Sequence, residues 1–148
     1  MGTFTVRLTT PLTPAEAWRR IWDLDAHTRV IPLTRLRGDG TAGAALGVGG
    51  RFVARTGLGR LAVDDVMEVR RFDAPSEGNH HGRAIVEKSG RVVRGRIDAR
   101  VEPAASGSRV TWTQEIGLAP LPRAADPILE RVAAAAYRHV LRRLLKGG

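Results

Sequence analysis

The feature that most constrains this chain is an alternation of apolar and polar residues that recurs from residue 51 to residue 118. In VVRGRIDARVE (92–102), for example, apolar or small residues take every second position between charged ones. A period of two is typical of a β-strand with one buried face. The same pattern predicts strands over RFVART (51–56), LAVDDVMEVRRFD (61–73), GRAIVEKS (82–89) and RVTWTQEIGL (109–118). The middle of the chain is therefore expected to form an antiparallel sheet, with a β-bulge at the adjacent carboxylates Asp64 and Asp65.

One further strand and a short helix are predicted ahead of this region. TFTVRLTT (3–10) alternates cleanly and predicts a half-buried strand. Thr13 then has the position of a helix N-cap, with Pro14 at the first helical residue and Glu16 three residues after the cap. This is the spacing of a capping box, so a short helix is expected to begin there.

A second short helix is predicted over AHTRVI (26–31), with Asp25 as its cap and Pro32 ending it. Residues 33–38 are expected to form another strand. The Gly- and Ala-rich segment DGTAGAALGVGG (39–50) predicts a loop.

A long amphipathic helix is predicted at the end of the chain, over DPILERVAAAAYRHVLRRLLKGG (126–148). Asp126 is expected to cap it, Pro127 to take the first position and Gly147 to close it. Its apolar stripe is predicted to comprise Leu129, Val132, Ala133, Ala136, Val140 and Leu144. A sheet with one apolar face must cover that face, and this helix is the one predicted element long enough to do so. Many of the residues predicted to face each other across the sheet and this helix are small. They are compatible either with tight packing or with a cavity between the two layers.

Four segments of the chain form a recognisable series: PAEAWRRIWDLDAHTRVIP (14–32), GVGGRFVA (47–54), VMEVRRFDAP (66–75) and SGSRVTWTQEI (106–116). In order and spacing they resemble the helix-grip superfamily of StAR-related lipid-transfer domains, pollen-allergen-like proteins and bacterial polyketide cyclases. The resemblance covers essentially the whole chain. It implies an α+β fold of order β-α-α-β6-α, in which residues 1–148 form one domain and a curved antiparallel sheet wraps around the helix at about 126–146, leaving an internal cavity. Members carry lipids, hormones or polyketides, and only some are catalysts.

The parity of the strands and the helix stripe predict which residues line that cavity. The predicted ligand-binding set is Phe52, Ala54, Thr56, Met67, Val69, Ile97, Ala99, Trp112 and Gln114 from the sheet, with Ala133, Ala136, Tyr137 and Val140 from the helix. Loop 39–50 and the link 119–125 are expected to flank its mouth. Gln114 shares the phase of the apolar residues on its strand, so its amide needs a protein, water or ligand partner. Of the pair Asp64 and Asp65, at most one can face inward, because adjacent strand residues face opposite sides.

Composition narrows the classes of partner. The net charge is +9, but 22 of the 24 basic residues are arginines scattered along the chain and only 5% of residues are aromatic, so no specific nucleic-acid site is predicted. The outer face of the strand at 92–102 is expected to be solvated, with its charged side chains paired to one another: Arg94, Arg96, Asp98, Arg100 and Glu102.

Cysteine is absent, which excludes disulfides and thiolate zinc sites. No transmembrane segment or signal peptide is predicted, so a cytoplasmic protein is expected. No cofactor is predicted. His80-His81 is interpreted as a solvated turn, so no metal site is predicted either.

Three function classes follow. The first is a carrier or sensor of a hydrophobic or amphipathic small molecule, lipid or polyketide-like. The second is a polyketide aromatase/cyclase or dehydratase acting in the same cavity, which would need at least two inward ionisable or hydroxyl groups near one ligand position. The third is a protein-interaction module, which a filled interior would favour. No GxSxG, HExxH or P-loop motif occurs. The catalytic residues are left unassigned, and a homodimer remains compatible with the sequence.

Overall fold

The computed structural model describes residues 1–147 as a seven-stranded antiparallel sheet with two short helices and one long helix. The elements are β1 (Gly2–Thr10), α1 (Pro14–Ile21), α2 (Leu24–Val30), β2 (Thr34–Gly38), β3 (Arg51–Leu58), β4 (Leu61–Asp73), β5 (Gly82–Ser89), β6 (Val93–Ala104), β7 (Gly107–Leu118) and α3 (Asp126–Leu145). A short 3-10 turn over Arg123–Ala125 precedes α3.

The strand order is β1-β7-β6-β5-β4-β3-β2, so the first strand of the chain pairs with the last one. Helices α1 and α2 connect the two edge strands β1 and β2. The sheet is curved and open, and α3 lies along its inner face. The predicted α+β fold, with about six strands after the two short helices and one long terminal helix, is confirmed.

Helix α3 packs mainly against β1, at one edge of the sheet. Leu141 and Leu144 of α3 and Val6 of β1 are almost fully buried in this contact region. Burying an aliphatic side chain of this size contributes roughly 1.5–3 kcal/mol. Because the helix follows β1, the inner faces of β3 and β4, near the opposite edge, have no direct cover from it. This offset positions the candidate site.

The first helix begins as predicted, whereas the second has a different cap. The hydroxyl of Thr13 accepts a hydrogen bond from the Glu16 amide at 3.3 Å. In α2 the cap is Asp23, whose carboxylate accepts from the Ala26 amide at 2.9 Å. The prediction of Asp25 was wrong because the helix begins at Leu24, two residues earlier than predicted. Asp25 instead accepts a hydrogen bond from the Ala42 amide at 3.2 Å, in the loop that follows β2.

Two further boundary predictions also differ from the structure. The register shift of β4 lies between Val69 and Arg71, not at Asp64-Asp65, where pairing with β3 is regular. Asp126 begins α3 without capping it, and its carboxylate is 3.0 Å from the amino terminus of Met1. Asp126 thus forms a salt bridge with the amino terminus instead of the expected helix cap.

Candidate functional site

A chamber of about 420 Å³ lies between the inner face of the sheet and α3. Its walls are mostly apolar, and they come from β3 to β7, from the residue that ends α2 and from the link after β7. The apolar lining residues are Ile31, Ala54, Val63, Val92, Val93, Ile116, Leu118, Ala119 and Leu121. Five side chains add polar groups: Thr56, Asp65, Lys88, Gln114 and Tyr137. Such a wall suits a hydrophobic molecule that is oriented by a few hydrogen bonds.

A smaller void of about 40 Å³ continues the chamber toward α1 and α2. The two spaces share Ile31, Ala54, Asp65 and Tyr137. The other residues around the void are Trp22, Leu24, His27, Leu36, Phe52, Met67, Ile97 and Trp112. The chamber therefore has a wide outer part and a narrow inner end lined by aliphatic and aromatic side chains.

Asp65 and Lys88 form an ion pair within the chamber wall. Asp65 shares the inward phase of Met67 and Val69 on β4, and Lys88 lies directly opposite Met67 on β5. The pair is thus a diagonal cross-strand contact, a spacing that long side chains bridge. The Lys88 side chain is 1% exposed and that of Asp65 is 17% exposed, so the pair is shielded from bulk solvent on the lysine side.

The charged form of Lys88 is maintained by its neighbours. Burial lowers the pKa of Lys88, but Tyr137 and Asp65 raise it by more, so its net pKa lies above the ordinary value. The ammonium is therefore retained at neutral pH. Asp65 receives one Lys88 N–H at its Oδ2 atom, while its Oδ1 atom is buried without a hydrogen-bond partner among the described residues.

Gln114 supplies a second polar group whose hydrogen bonds are incomplete. It is fully buried, and its Oε1 atom accepts from the indole Nε1 of Trp112 at 3.1 Å. Its Nε2 atom has no hydrogen-bond partner within the described part of the chain. An unpaired buried amide costs about 1–3 kcal/mol, so a ligand or water oxygen placed there would relieve that cost.

Tyr137 is held by aromatic neighbours at the junction of chamber and void. Its ring stacks on Trp112 with centroids 5.6 Å apart and planes at 26°, and it lies 5.6 Å from the ring of Phe4. Trp22 packs against the other side of the aromatic group, 5.6 Å from Trp112. Offset aromatic packing of this kind fixes ring position, so the Tyr137 hydroxyl is presented beside Lys88 by a rigid wall.

Eight of the residues that the sequence assigned to the ligand site lie on the walls of these spaces. Ala54, Thr56, Gln114 and Tyr137 line the chamber, and Phe52, Met67, Ile97 and Trp112 line the inner void. Thr56 is tied to the neighbouring strand, because its hydroxyl is 2.7 Å from that of Thr34.

The other five assigned residues lie elsewhere. Val69, Ala99, Ala133 and Val140 are buried in the core and line neither space. Ala136 is exposed, and so is Val132, at 62%. Four residues of the predicted α3 stripe do face the core, since Ala133, Val140 and Leu144 are buried and Leu129 packs against them. Val132 and Ala136 were assigned wrongly, and Tyr137 and Leu141 complete the inward face instead.

The mouth of the chamber also differs from the prediction. The link after β7 contributes Ala119 and Leu121, as expected, but loop 39–50 contributes no lining residue to either space. Leu46 of that loop packs against the core instead. The opposite rim is formed by Val63 of β4 and by Val92 in the turn between β5 and β6.

Sequence reasoning missed the two charged residues of the site, Asp65 and Lys88. The expectation that only one of the adjacent aspartates faces inward is confirmed, since Asp64 lies outside with its carboxylate 3.5 Å from Arg55. Strand parity does predict Lys88, because Lys88 has the phase of Ala84 and Val86. That signal was available in the sequence, although charged residues are seldom fully buried.

A larger groove of about 660 Å³ lies outside the sheet–helix interior, between β1 and the end of α3. Its basic lining residues are Arg7, Arg20, Arg138, Arg142 and Lys146. Arg20 already pairs with Glu16 and donates to the Leu145 carbonyl at 2.9 Å. None of these charged groups is buried, so the smaller inner chamber, which holds Lys88 and Gln114 out of contact with solvent, is the better candidate site.

The comparisons with known proteins agree with this architecture. A family model described as "Polyketide cyclase / dehydrase and lipid transport" matches residues 1–146. The chain belongs to this family. No curated protein matches the sequence.

Solved structures of low identity share the fold of this family member. The Zhui aromatase/cyclase from a Streptomyces strain has a TM-score of 0.65 at 9% identity, covering 97% of this chain and 91% of that one. Ara h 8.0201 has a TM-score of 0.62 at 14% identity, covering 98% of each chain. A hypothetical protein from Helicobacter pylori has a TM-score of 0.77 at 11% identity, covering 98% of this chain and 86% of the other. The helix-grip resemblance predicted from the sequence is thereby confirmed.

Family and fold together support a helix-grip protein that binds a hydrophobic ligand. Within residues 1–147, no helix has both the length and the apolar character required to cross a membrane.

Proposed function

We propose that this protein binds an amphipathic small molecule, lipid-like or polyketide-like, in the chamber between the sheet and α3, as a carrier or sensor. The observation that carries the proposal is a chamber of about 420 Å³ with apolar walls and a small, buried polar group at its inner side. The apolar walls would supply affinity by removing hydrocarbon from water, and Gln114 and the Asp65–Lys88 pair would fix orientation.

A second candidate function is catalysis by the same chamber, as a polyketide aromatase/cyclase or dehydratase. The observation that favours it is the presence of Asp65, Lys88 and Tyr137 on one wall. Two ionisable groups and a hydroxyl meet the minimum set on which acid–base chemistry depends. Lys88 stays protonated because its pKa is raised, so it would act as a hydrogen-bond donor and not as a nucleophile.

A protein-interaction module is less well supported. A filled interior would favour such a module. The described residues instead enclose a chamber that reaches the surface beside Leu121, which is 51% exposed.

The proposed binding is tested by filling the chamber. Ala54 lines both the chamber and the void, so Ala54→Phe should occupy the space at their junction. The neutral fluorophore N-phenyl-1-naphthylamine serves as the probe, and its affinity is expected to fall by about tenfold or more, which corresponds to roughly 1.4 kcal/mol. Ala136→Trp is the matched control, because residue 136 is exposed on the outer side of α3; it adds a larger ring without touching the chamber.

Circular dichroism establishes that both variants are folded, and native mass spectrometry of the purified proteins detects any co-purified ligand. Equal probe affinity in wild type and Ala54→Phe would contradict the proposed site. A bound mass that wild type converts to a different mass on incubation would favour the catalytic alternative over the carrier.

A further inference from the structure

The chamber is neutral within a protein that carries a large positive charge. The chain has a net charge of +9. Among the residues that line the chamber and the void, Asp65 and Lys88 are the two that carry formal charges, and they neutralise each other. The titratable group His27 also borders the void, and its pKa is lowered, first by burial, so it adds no charge at neutral pH. The surplus of arginines lies outside this space.

The inner face of the sheet holds one unused acceptor and one unused donor. Oδ1 of Asp65 is an acceptor without a partner, and Nε2 of Gln114 is a donor without a partner, among the described residues. The Lys88 ammonium has three N–H groups, one of which binds Oδ2 of Asp65. The wall thus offers hydrogen-bond capacity of both kinds and no net charge.

We propose that the chamber selects a neutral ligand whose polar end carries a carbonyl next to a hydroxyl, such as a hydroxy ketone or an acyl phenol, over a carboxylate or an amine on the same skeleton. This inference rests on the proposed function and names the class of ligand. The carbonyl oxygen receives a hydrogen bond from Lys88, and the adjacent hydroxyl donates to Oδ1 of Asp65.

The reason for the selectivity is the cost of an uncompensated charge. A carboxylate would meet the ammonium of Lys88 but also the carboxylate of Asp65, which already neutralises it. A protonated amine would meet the carboxylate of Asp65 but also the ammonium of Lys88, which already neutralises that carboxylate. In either case one charge in a shielded interior has no counterion, and that cost is much larger than the cost of an unpaired neutral group.

Two naphthol probes on one ring system test the inference in the full chain. One carries an acetyl group ortho to the hydroxyl, and the other carries a carboxylate at the same position. Each is titrated against bound N-phenyl-1-naphthylamine near pH 7 in about 0.15 M salt, which screens attraction to distant surface charges. Wild type is expected to bind the acetyl probe about tenfold or more tightly than the carboxylate probe.

Asp65→Asn should shift this ratio toward the carboxylate by about tenfold or more, because Lys88 is then the one charge in the wall. Asp64→Asn is the matched control: it is the same substitution one residue away, on the outer face, and it changes the net charge by the same amount. The control should keep the wild-type ratio. The wild-type comparison needs no variant, so it decides the matter even where Asp65→Asn fails to fold.

The inference is overturned if wild type binds both probes equally or prefers the carboxylate, or if a folded Asp65→Asn keeps the wild-type ratio. If neither naphthol displaces N-phenyl-1-naphthylamine while Ala54→Phe still blocks that fluorophore, the inference fails and the proposed chamber stands. If the fluorophore does not bind wild type and no ligand co-purifies, the proposed function fails and the inference fails with it.

Discussion

His27 is held buried and neutral at the inner end of the void. Its Nε2 atom lies 2.8 Å from the carbonyl oxygen of Ile21, so Nε2 carries the hydrogen that is donated. Burial lowers the pKa of His27, and Lys88 lowers it further, while the hydrogen bond to Ile21 and the carboxylate of Asp23 act in the opposite direction. The net effect is a pKa below the ordinary value of 6.5.

This shift predicts a loss of stability in mild acid. As pH falls below about 6.5, the unfolded chain takes up a proton on His27 before the folded protein does, so the free energy of unfolding decreases. The slope that this group contributes is at most about 1.4 kcal/mol per pH unit. Well above pH 6.5, His27 is neutral in both the folded and the unfolded chain, so it no longer lowers the free energy of unfolding. Urea denaturation between about pH 7.5 and pH 5 measures it.

The variant His27→Gln should flatten this part of the pH profile, whereas His80→Gln, in an exposed turn, should not. A wild-type unfolding free energy that stays constant from pH 7 to pH 5 would contradict a neutral, buried His27.

Single residues also show how far the sequence determines the site. Gln114 could be predicted because its strand alternates without interruption, and parity alone orients it. Asp65 and Lys88 were missed because each is acceptable inside only when the other is present. Their pairing depends on the register between β4 and β5, which residue types alone do not determine.

At the scale of elements, Gly95 marks a place where β6 and β7 approach too closely for a side chain. Its φ is +147°, and a Cβ there would overlap the carbonyl oxygen of Glu115. Gly95 lies opposite Ile116 on one side and Lys88 on the other, and both of these line the chamber. The glycine therefore allows the two strands to pair next to the site.

The variant Gly95→Ala is expected to lower the free energy of unfolding by about 1–3 kcal/mol, through backbone strain and loss of strand pairing. Chemical denaturation followed by circular dichroism measures the change. Gly47→Ala is the matched control, since a Cβ at residue 47 meets nothing within 4 Å. Equal stability of the two variants would show that the strands can separate at Gly95 without cost.

The strands could be predicted more accurately than the orientation of α3. Alternation fixes the inward face of a strand, whereas the run of four alanines at 133–136 gives almost no contrast between the faces of the helix. The prediction therefore placed both Ala136 and Tyr137 on the cavity wall, whereas the structure turns Tyr137 inward and leaves Ala136 exposed. The larger side chain, and not the alanine run, determines which face meets the sheet.

At the scale of the whole molecule, the chamber results from where α3 lies across the curved sheet. The helix follows β1, so β3 and β4 are left to form the far wall of an open space. Neither the curvature of the sheet nor the lateral position of the helix is encoded in any single segment. The sequence therefore predicted the layers, while the volume between them needed long-range packing to be known.

The net charge of +9 is distributed over an outer surface on which many arginines already have acidic partners. On the outer face of the sheet, Arg83 lies 2.8 Å from Asp98, Arg70 lies 2.8 Å from Glu87, and Arg109 lies 3.4 Å from Glu102. Within the series on β6 that was predicted to be mutually paired, Asp98 does pair with Arg100 at 3.4 Å, whereas Glu102 pairs with Arg109 and Arg94 donates to the Gly90 carbonyl. Exposed pairs of this kind contribute only about 0–1 kcal/mol each, but they reduce the number of arginines free to contact phosphate.

We therefore expect only weak, sequence-independent binding of DNA. Fluorescence anisotropy with two labelled duplexes of unrelated sequence should give affinities that agree within about threefold at 50 mM salt, and binding should largely disappear by about 200 mM salt. The reason is that attraction by net charge comes from counterion release, which salt opposes, whereas base recognition depends on shaped contacts that survive it. Tight binding at 200 mM salt with a preference for one duplex would mean that the basic groove beside β1 recognises nucleic acid, and it would shift attention from the neutral chamber to the surface of Arg7, Arg138 and Arg142.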